Sequence, residues 1–471
     1  MHIQKIHNDR FFDALRKTEY ARLDEDHHVY LDYTGGNIFP KSLVEEHCAL
    51  LQQCVFGNPH SDNPTSQLAS DYLHMARDRV LEFFNARDYY CIFTANASAA
   101  LQIVGECYPF GTDSALLLTA DNHNSVNGIR EYCTNRGAGF SYCGFNSADL
   151  TLDEEELDIL LLTERKKDKL FAYPAQSNAS GIQHSLSWVY RAQALGWDVL
   201  LDAAAFAPTS KLDLSEVSPE FVCMSFYKMF GYPTGIGCLL VRKSAFPKLK
   251  KPWFAGGTVS LVSVNGSQHF LLNGPERFES GTVNYLNMPA VIGGLNFIDS
   301  IGIYEISRRV KGLTSFLIEE LLKLRHGNGA PVIKVYGSLD MKIHGGTIMM
   351  NFFDRDGLQY PYQDIQAAAN EKCISVRGGC FCNPGVDEIN SGVSARELRG
   401  YFETRQGADY HDMVSFLGKW RGAIRVSLGI PTTLGDLQSF ISLASTFINS
   451  SVSTRFKKTE GPGVLVGFAA R

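Results

Sequence analysis

The stretch FVCMSFYKMFGYPTGIGCLLVRK, Phe221 to Lys243, decides the fold. It holds two apolar runs, FVCMSFY (221–227) and IGCLLVR (236–242), joined through a glycine-rich turn, with Lys228 ending the first. Runs without polar alternation read as strands buried on both faces. Four more stand upstream: YYCIFTA (89–95), SALLLTA (114–120), KLFAYPA (169–175) and DVLLDAA (198–204). Amphipathic helix candidates lie between several of them, for example Ser98 to Cys107 and Ser125 to Cys133. Buried strands alternating with helices predict an α/β fold, its sheet mainly parallel and flanked by helices.

Further on, Ile306, Val310, Leu313, Leu317, Leu321 and Leu324 recur every three or four residues, the stripe of one long helix. Beyond residue 331, PVIKVYG, GGTIMMNFF and AIRVSLG read as strands, with helices near 361–372 and 433–447. This predicts a large domain over 56–300 and a smaller α+β domain from 1–55 with 301–456. The remaining 457–471 reads as a tail.

Composition narrows the function. The chain has 471 residues, 45% apolar and 20% charged, as a packed globule requires. A formal net charge of -6 gives no electrostatic footprint for nucleic acid. The run Glu164 to Lys169 reads as a solvated face. No uncharged apolar stretch reaches membrane-spanning length, and the N-terminus lacks the apolar core of a signal peptide. Eleven scattered cysteines fit free thiols in a reducing cytoplasm better than a disulfide framework. Only Cys380 and Cys382 stand close together, with no second pair or local histidine, so no metal is expected.

Lys228 carries the chemistry. Burial disfavours the ammonium form, which makes a nucleophilic amine. Asp202 closes the run VLLD, at the carboxyl end of a parallel strand, where open α/β sheets bind ligands. A lysine for a Schiff base and a carboxylate for a pyridinium nitrogen are what pyridoxal 5′-phosphate (PLP) requires. The other reading of the two residues is a salt-bridged pair at a sheet edge.

FGNPHSDN, PAQSNASG, SFYKMFGYPTGIG, RFESGTVNYLN and VRGGCFCNPG together add a resemblance. The chain resembles the class V aminotransferase and cysteine desulfurase group of fold-type I PLP enzymes. Within that group it is most similar to the desulfurase-like domain of the molybdenum cofactor sulfurases, from VYLDYTGG to AIRVSLGIPTTLGDLQSFI. The resemblance makes Lys228 the Schiff-base lysine, Asp202 the pyridinium partner and His123 the histidine stacked on the ring. Asn178, with Gln176 near it, falls beside the cofactor and substrate. Asn96, Ala97 and Ser98 open a helix as a phosphate site, with a hydroxyl from Ser225. Relatives usually carry a hydroxyl residue at position 97. Thr282 matches a threonine that reaches phosphate across a homodimer interface. Arg425 matches the arginine that holds the substrate carboxylate, and Arg377 is a second carboxylate or loop-anchoring candidate.

In that group a thiolate takes the sulfur of L-cysteine, alanine leaves, and a persulfide remains on the enzyme. The matching nucleophile is Cys382. Cys380 reads as a bystander, with a resolving or persulfide-sharing role as the alternative. Glycines around the pair imply a mobile loop, looser here because Gly378-Gly379 replaces threonine-glycine, and Arg377 nearby favours the thiolate. The sulfurases continue into a cofactor-binding domain that this sequence does not include. Molybdenum cofactor is therefore the expected acceptor only where another protein supplies that domain. A C–S lyase or an aminotransferase is the alternative activity.

Overall fold

The six apolar runs become six of seven strands in one central sheet. A computed structural model describes residues 9–407 and 409–452, and the expected tail, 457–471, lies outside them. In chain order the strands are β1 (Val29–Tyr30), β2 (Tyr89–Thr94), β3 (Ser114–Thr119), β4 (Gly139–Cys143), β5 (Asp168–Pro174), β6 (Asp198–Asp202), β7 (Phe221–Ser225) and β8 (Gly237–Arg242). Then come β9 (Val259–Val262), β10 (His269–Leu271), β11 (Ile333–Tyr336), β12 (Thr347–Phe352), β13 (Ile374–Ser375), β14 (Arg377–Gly379) and β15 (Ala423–Ser427). The large sheet has the order β2-β8-β7-β6-β5-β3-β4.

Pairs among β4, β3, β5, β6 and β7 are parallel, whereas β8 runs antiparallel to both β7 and β2. The short connection from β7 to β8 carries no full crossover helix, and such a connection returns the chain antiparallel. Strand β2 therefore points the same way as β7, and six strands end at one rim of the sheet.

Side chains alternate between two cores. Phe171, Tyr173, Val199, Leu201 and Val222 pack on one face. Leu170, Ala172, Leu200, Phe221 and Cys223 pack on the other. Period-two alternation into two apolar layers is why these strands look uniformly hydrophobic in sequence. Helices Ala97–Cys107 and Ile303–Leu322 contribute one apolar stripe each, the first to the second core and the other to the first. The stripe of the long helix is buried from Ile306 to Leu321, and Leu324 falls beyond its end. The single helix expected from Ser125 to Cys133 is two, Asn124–Asn127 and Ile129–Asn135, broken at Gly128.

A second sheet, β11-β12-β15-β14, is antiparallel. The N-terminal segment reaches it through Asp32, which bridges Ser427 at the end of β15, while β1 and β13 form a separate parallel pair. Among the described residues no single helix is long and apolar enough to cross a membrane.

Candidate active site

Five strand ends meet around a cavity of about 190 Å³ at the rim of the large sheet. Its wall includes Asn96, Ala97 and Ser98 after β2, His123 after β3, and Gln176 and Asn178 after β5. Asp202 at the end of β6, and Ser225 and Lys228 after β7, complete it. The sequence reading did not single out Tyr227, which lies on the same wall.

Lys228 sits in the short helix Phe226–Phe230 and faces the cavity. Burial lowers its pKa, Asp202 opposes that shift, and Arg425 adds to it. Lys228 and Asp202 make no salt bridge, so the sheet-edge ion pair is not what the structure contains. The buried Asp202 carboxylate is held by one oxygen only. Oδ1 accepts the Ala204 N–H at 2.9 Å and the Cys223 thiol at 3.6 Å. Among the described residues Oδ2 has no hydrogen-bond donor. An amine and a carboxylate that share a cavity without pairing are both left needing a partner.

His123 caps the helix Asn124–Asn127, and its Nδ1 accepts the Ser125 N–H at 3.1 Å. The neutral ring therefore carries its proton on Nε2. Its pKa is lowered, first by burial; Asp202 pulls it up, while Lys228 and Arg425 push it down. His123 is thus a neutral imidazole at physiological pH.

The wall around Asn96, Ala97, Ser98 and Ser225 is rich in hydrogen-bond donors. Asn96 caps the helix Ala97–Cys107, its side chain accepting the Ala99 N–H at 3.0 Å. The Ala97 N–H donates to Ser225 Oγ at 2.8 Å, which leaves the Ser225 hydroxyl proton free to point elsewhere. Ser98 Oγ lies 2.6 Å from Ser125 Oγ. The Ser98 N–H is in the first helical turn, where no intrahelical acceptor exists.

The two cysteines belong to a turn that Asn178 of the cavity wall holds by a hydrogen bond to Phe381 O. Residues 380–383 form a tight turn in which the Asn383 N–H donates to Cys380 O at 3.0 Å. Phe381 and Cys382, its central residues, have φ of 59° and 54°. Two successive non-glycine residues in the left-handed region cost roughly 1–2 kcal/mol each. Surrounding contacts hold the turn. The Asn124 N–H donates to Cys382 O at 2.7 Å, and Asn178 Nδ2 donates to Phe381 O at 2.7 Å. Asn383 Nδ2 donates to Asp121 O and to Asn178 Oδ1. The exposed Cys382 lies within electrostatic reach of Lys228 and Arg377. The Cys380 thiol, crowded though exposed, is pushed up, by desolvation first and then by the Asp387 carboxylate.

The expected looseness of the glycines is not what the structure contains. Gly378 and Gly379 belong to β14, paired with β15. A Cβ on Gly378 would lie 2.5 Å from the Tyr362 ring, so this glycine permits close packing rather than motion.

Arg425 is buried, within electrostatic reach of Lys228 and His123 on the cavity wall. Its Nη1 donates to Asn178 O at 2.9 Å, its Nη2 to Asp32 Oδ1 at 2.9 Å, and its guanidinium lies 5.1 Å from the Phe381 ring centroid. Arg377 donates to the other oxygen of the same carboxylate. Thr282 is not brought to the Lys228 cavity within one chain. It is exposed, accepts from Asn58 Nδ2 at 3.3 Å, and lines a separate cavity of about 440 Å³.

Sequence reasoning missed Asp32, Asn383 and the buried pair Asp121–His184, whose Oδ2 and Nε2 are 2.7 Å apart. Asn383 had a usable signal, since a cap residue followed by proline opens the helix Pro384–Asn390.

Comparisons with known proteins place the chain among its relatives. The chain is 36% identical to the molybdenum cofactor sulfurase of Arabidopsis thaliana, aligned over 96% of this chain and 59% of that protein. It is 34% identical to the human molybdenum cofactor sulfurase, over 91% of this chain and 50% of that one. The chain thus spans between half and three fifths of the length of these two relatives. A cysteine desulfurase from Thermococcus onnurineus superposes with a TM-score of 0.75 at 24% identity, covering 93% of this chain and 98% of its own. One from Escherichia coli gives 0.73 at 18%, covering 92% and 98%; both likenesses concern the fold alone. With the aminotransferase class-V model matching residues 29–440, the chain belongs to the aminotransferase class-V family.

Proposed function

We propose that the chain is a PLP-dependent enzyme of the cysteine desulfurase kind, which moves sulfur from L-cysteine onto Cys382 and releases alanine. One observation carries this reading. A lysine amine and a half-open carboxylate face one cavity without pairing, and its wall is tied through Asn178 to a turn that carries an exposed thiol. The donor set fits PLP. Lys228 suits the aldehyde, Asp202 Oδ2 the protonated ring nitrogen, and Ser98, Ser225 and the first helical turn the phosphate. When bound, PLP supplies an electron sink that makes the substrate carbon–sulfur bond labile.

The remaining work falls to this chain. The lowered pKa favours the uncharged, nucleophilic form of the Lys228 amine at Nζ. His123 presents Nε2–H to the cavity as a neutral donor. Asn178 joins the cavity wall to the turn. The Cys382 thiolate forms a sulfur–sulfur bond as the substrate carbon–sulfur bond breaks, and the carbon takes up a proton. Arg425 serves the substrate carboxylate. Molybdenum cofactor is one sulfur acceptor consistent with the relatives' names. The exposed Thr282 and the exposed apolar hairpin β9–β10, where Val264 is 93% exposed, support a homodimer. Eleven free cysteines support a reducing, cytoplasmic setting.

The test is reconstitution with PLP and turnover of L-cysteine. The parent protein is expected to gain a visible absorbance band and to form alanine, and Lys228→Ala to lose both. An unchanged spectrum in Lys228→Ala overturns the cofactor assignment. Turnover that needs a 2-oxo acid and survives loss of Cys380 and Cys382 identifies an aminotransferase instead.

A further inference from the structure

In the antiparallel pair β14–β15, Arg377 stands directly opposite Arg425. Like charges at directly opposed positions destabilise a sheet. Here a carboxylate from a third segment resolves the clash: Asp32 Oδ1 accepts from Arg425 Nη2 at 2.9 Å, and Oδ2 accepts from Arg377 Nε at 2.9 Å and Nη2 at 2.6 Å. Asp32 is fixed by its own backbone. It bridges Ser427, two residues beyond Arg425 on β15, and its carbonyl accepts the N–H groups of Gly35 and Gly36. The backbone at Gly35 passes close to this pairing. A Cβ on Gly35 would lie 2.5 Å from Arg377 Nη2 and 2.6 Å from Asp32 Oδ2, and the backbone there is not left-handed. A side chain at position 35 would press on the Arg377–Asp32 contact.

Building on the reading above, we propose that Asp32 is a positioning residue that orients Arg425 for the substrate carboxylate and couples it to Arg377 at the base of the cysteine turn. Arg425 is buried, with Nε lacking any acceptor, so its orientation depends on Asp32 and the Asn178 carbonyl. One negative charge between two guanidinium groups leaves a net single positive charge, matched to one carboxylate. Arg377 begins the segment that leads into Cys380 and Cys382, so the same carboxylate ties the substrate arginine to the nucleophile's anchor.

The experiment uses PLP-loaded protein and follows its absorbance on titration with two amines, L-alanine and ethylamine, which lacks the carboxylate. Asp32→Asn and Gly35→Ala are each expected to weaken L-alanine by about tenfold or more, the scale of a lost charge-assisted contact. Ethylamine affinity and the amine-free spectrum should stay within about twofold of the parent, and Asp32→Glu should recover part of the loss. L-alanine affinity at the parent level in both variants overturns the proposal, as does an equal loss for both amines. A parent protein whose spectrum responds to neither amine overturns the cofactor reading as well, which separates that failure from the failure of Asp32.

Discussion

The backbone N–H of Asn124 donates to the carbonyl of Cys382 at 2.7 Å, so the segment carrying His123 also holds the cysteine turn. With Asn178 on Phe381, this fixes two successive left-handed residues that would otherwise relax. The thiol is presented by a strapped turn and not by a loose glycine loop.

Removing one strap should loosen it measurably. Asn178→Ala deletes the donor to Phe381 and the acceptor of Asn383. Exchange of the Asn383 amide, which closes the turn onto Cys380, is expected to speed up about tenfold, the equivalent of one to two hydrogen bonds. Parent-like exchange in the variant would show that the turn stands without Asn178.

The two cysteines should differ in reactivity. Desolvation and then Asp387 push the Cys380 thiol up, which disfavours its thiolate. Iodoacetamide near pH 8 is therefore expected to label Cys382 about tenfold faster than Cys380, as thiolate-controlled reactivity requires. Peptide masses at short times read the ratio, and preferential labelling of Cys380 would reverse the assignment.

The buried pair Asp121–His184 makes a prediction about pH. Burial by itself would lower the His184 pKa, but the Asp121 carboxylate overrides this and raises it. The folded state then binds the proton more tightly than the unfolded chain. The pair's stabilisation is fully present below the ordinary histidine value of 6.5 and fades as pH rises through the raised folded value. Asp121→Asn should cost about 3–5 kcal/mol on the acid side, with the gap to the parent narrowing above neutrality. Urea unfolding of both proteins across this range measures the gap, and a gap that widens with pH contradicts the pair's role.

Lys228 and Asp202 were legible because both close apolar runs, and the ends of parallel strands are where such a sheet binds its ligand. The reversed direction of β8 followed from a connection too short for a crossover, a feature visible only once the turn was placed. Asp32 was illegible for a plain reason. Its partners lie 345 and 393 residues away, and an aspartate in VYLDYTGG looks the same whether it faces solvent or two arginines. Gly378 was read as loosening a mobile loop because nothing local reveals the Tyr362 ring packed against it. Gly128 was read through as helix because a lone glycine is tolerated there as often as it breaks the run.

The central claim is that Cys382 receives the sulfur. The most direct measurement is the mass of the peptide spanning 377–388 after PLP-loaded protein has reacted with L-cysteine, alongside the alanine released. The expected result is a gain of one sulfur atom on Cys382, equimolar with the first alanine formed, which persists in Cys380→Ala and vanishes in Cys382→Ala. Alanine formed at the parent rate by Cys382→Ala, with no sulfur gained on the peptide, would contradict the account.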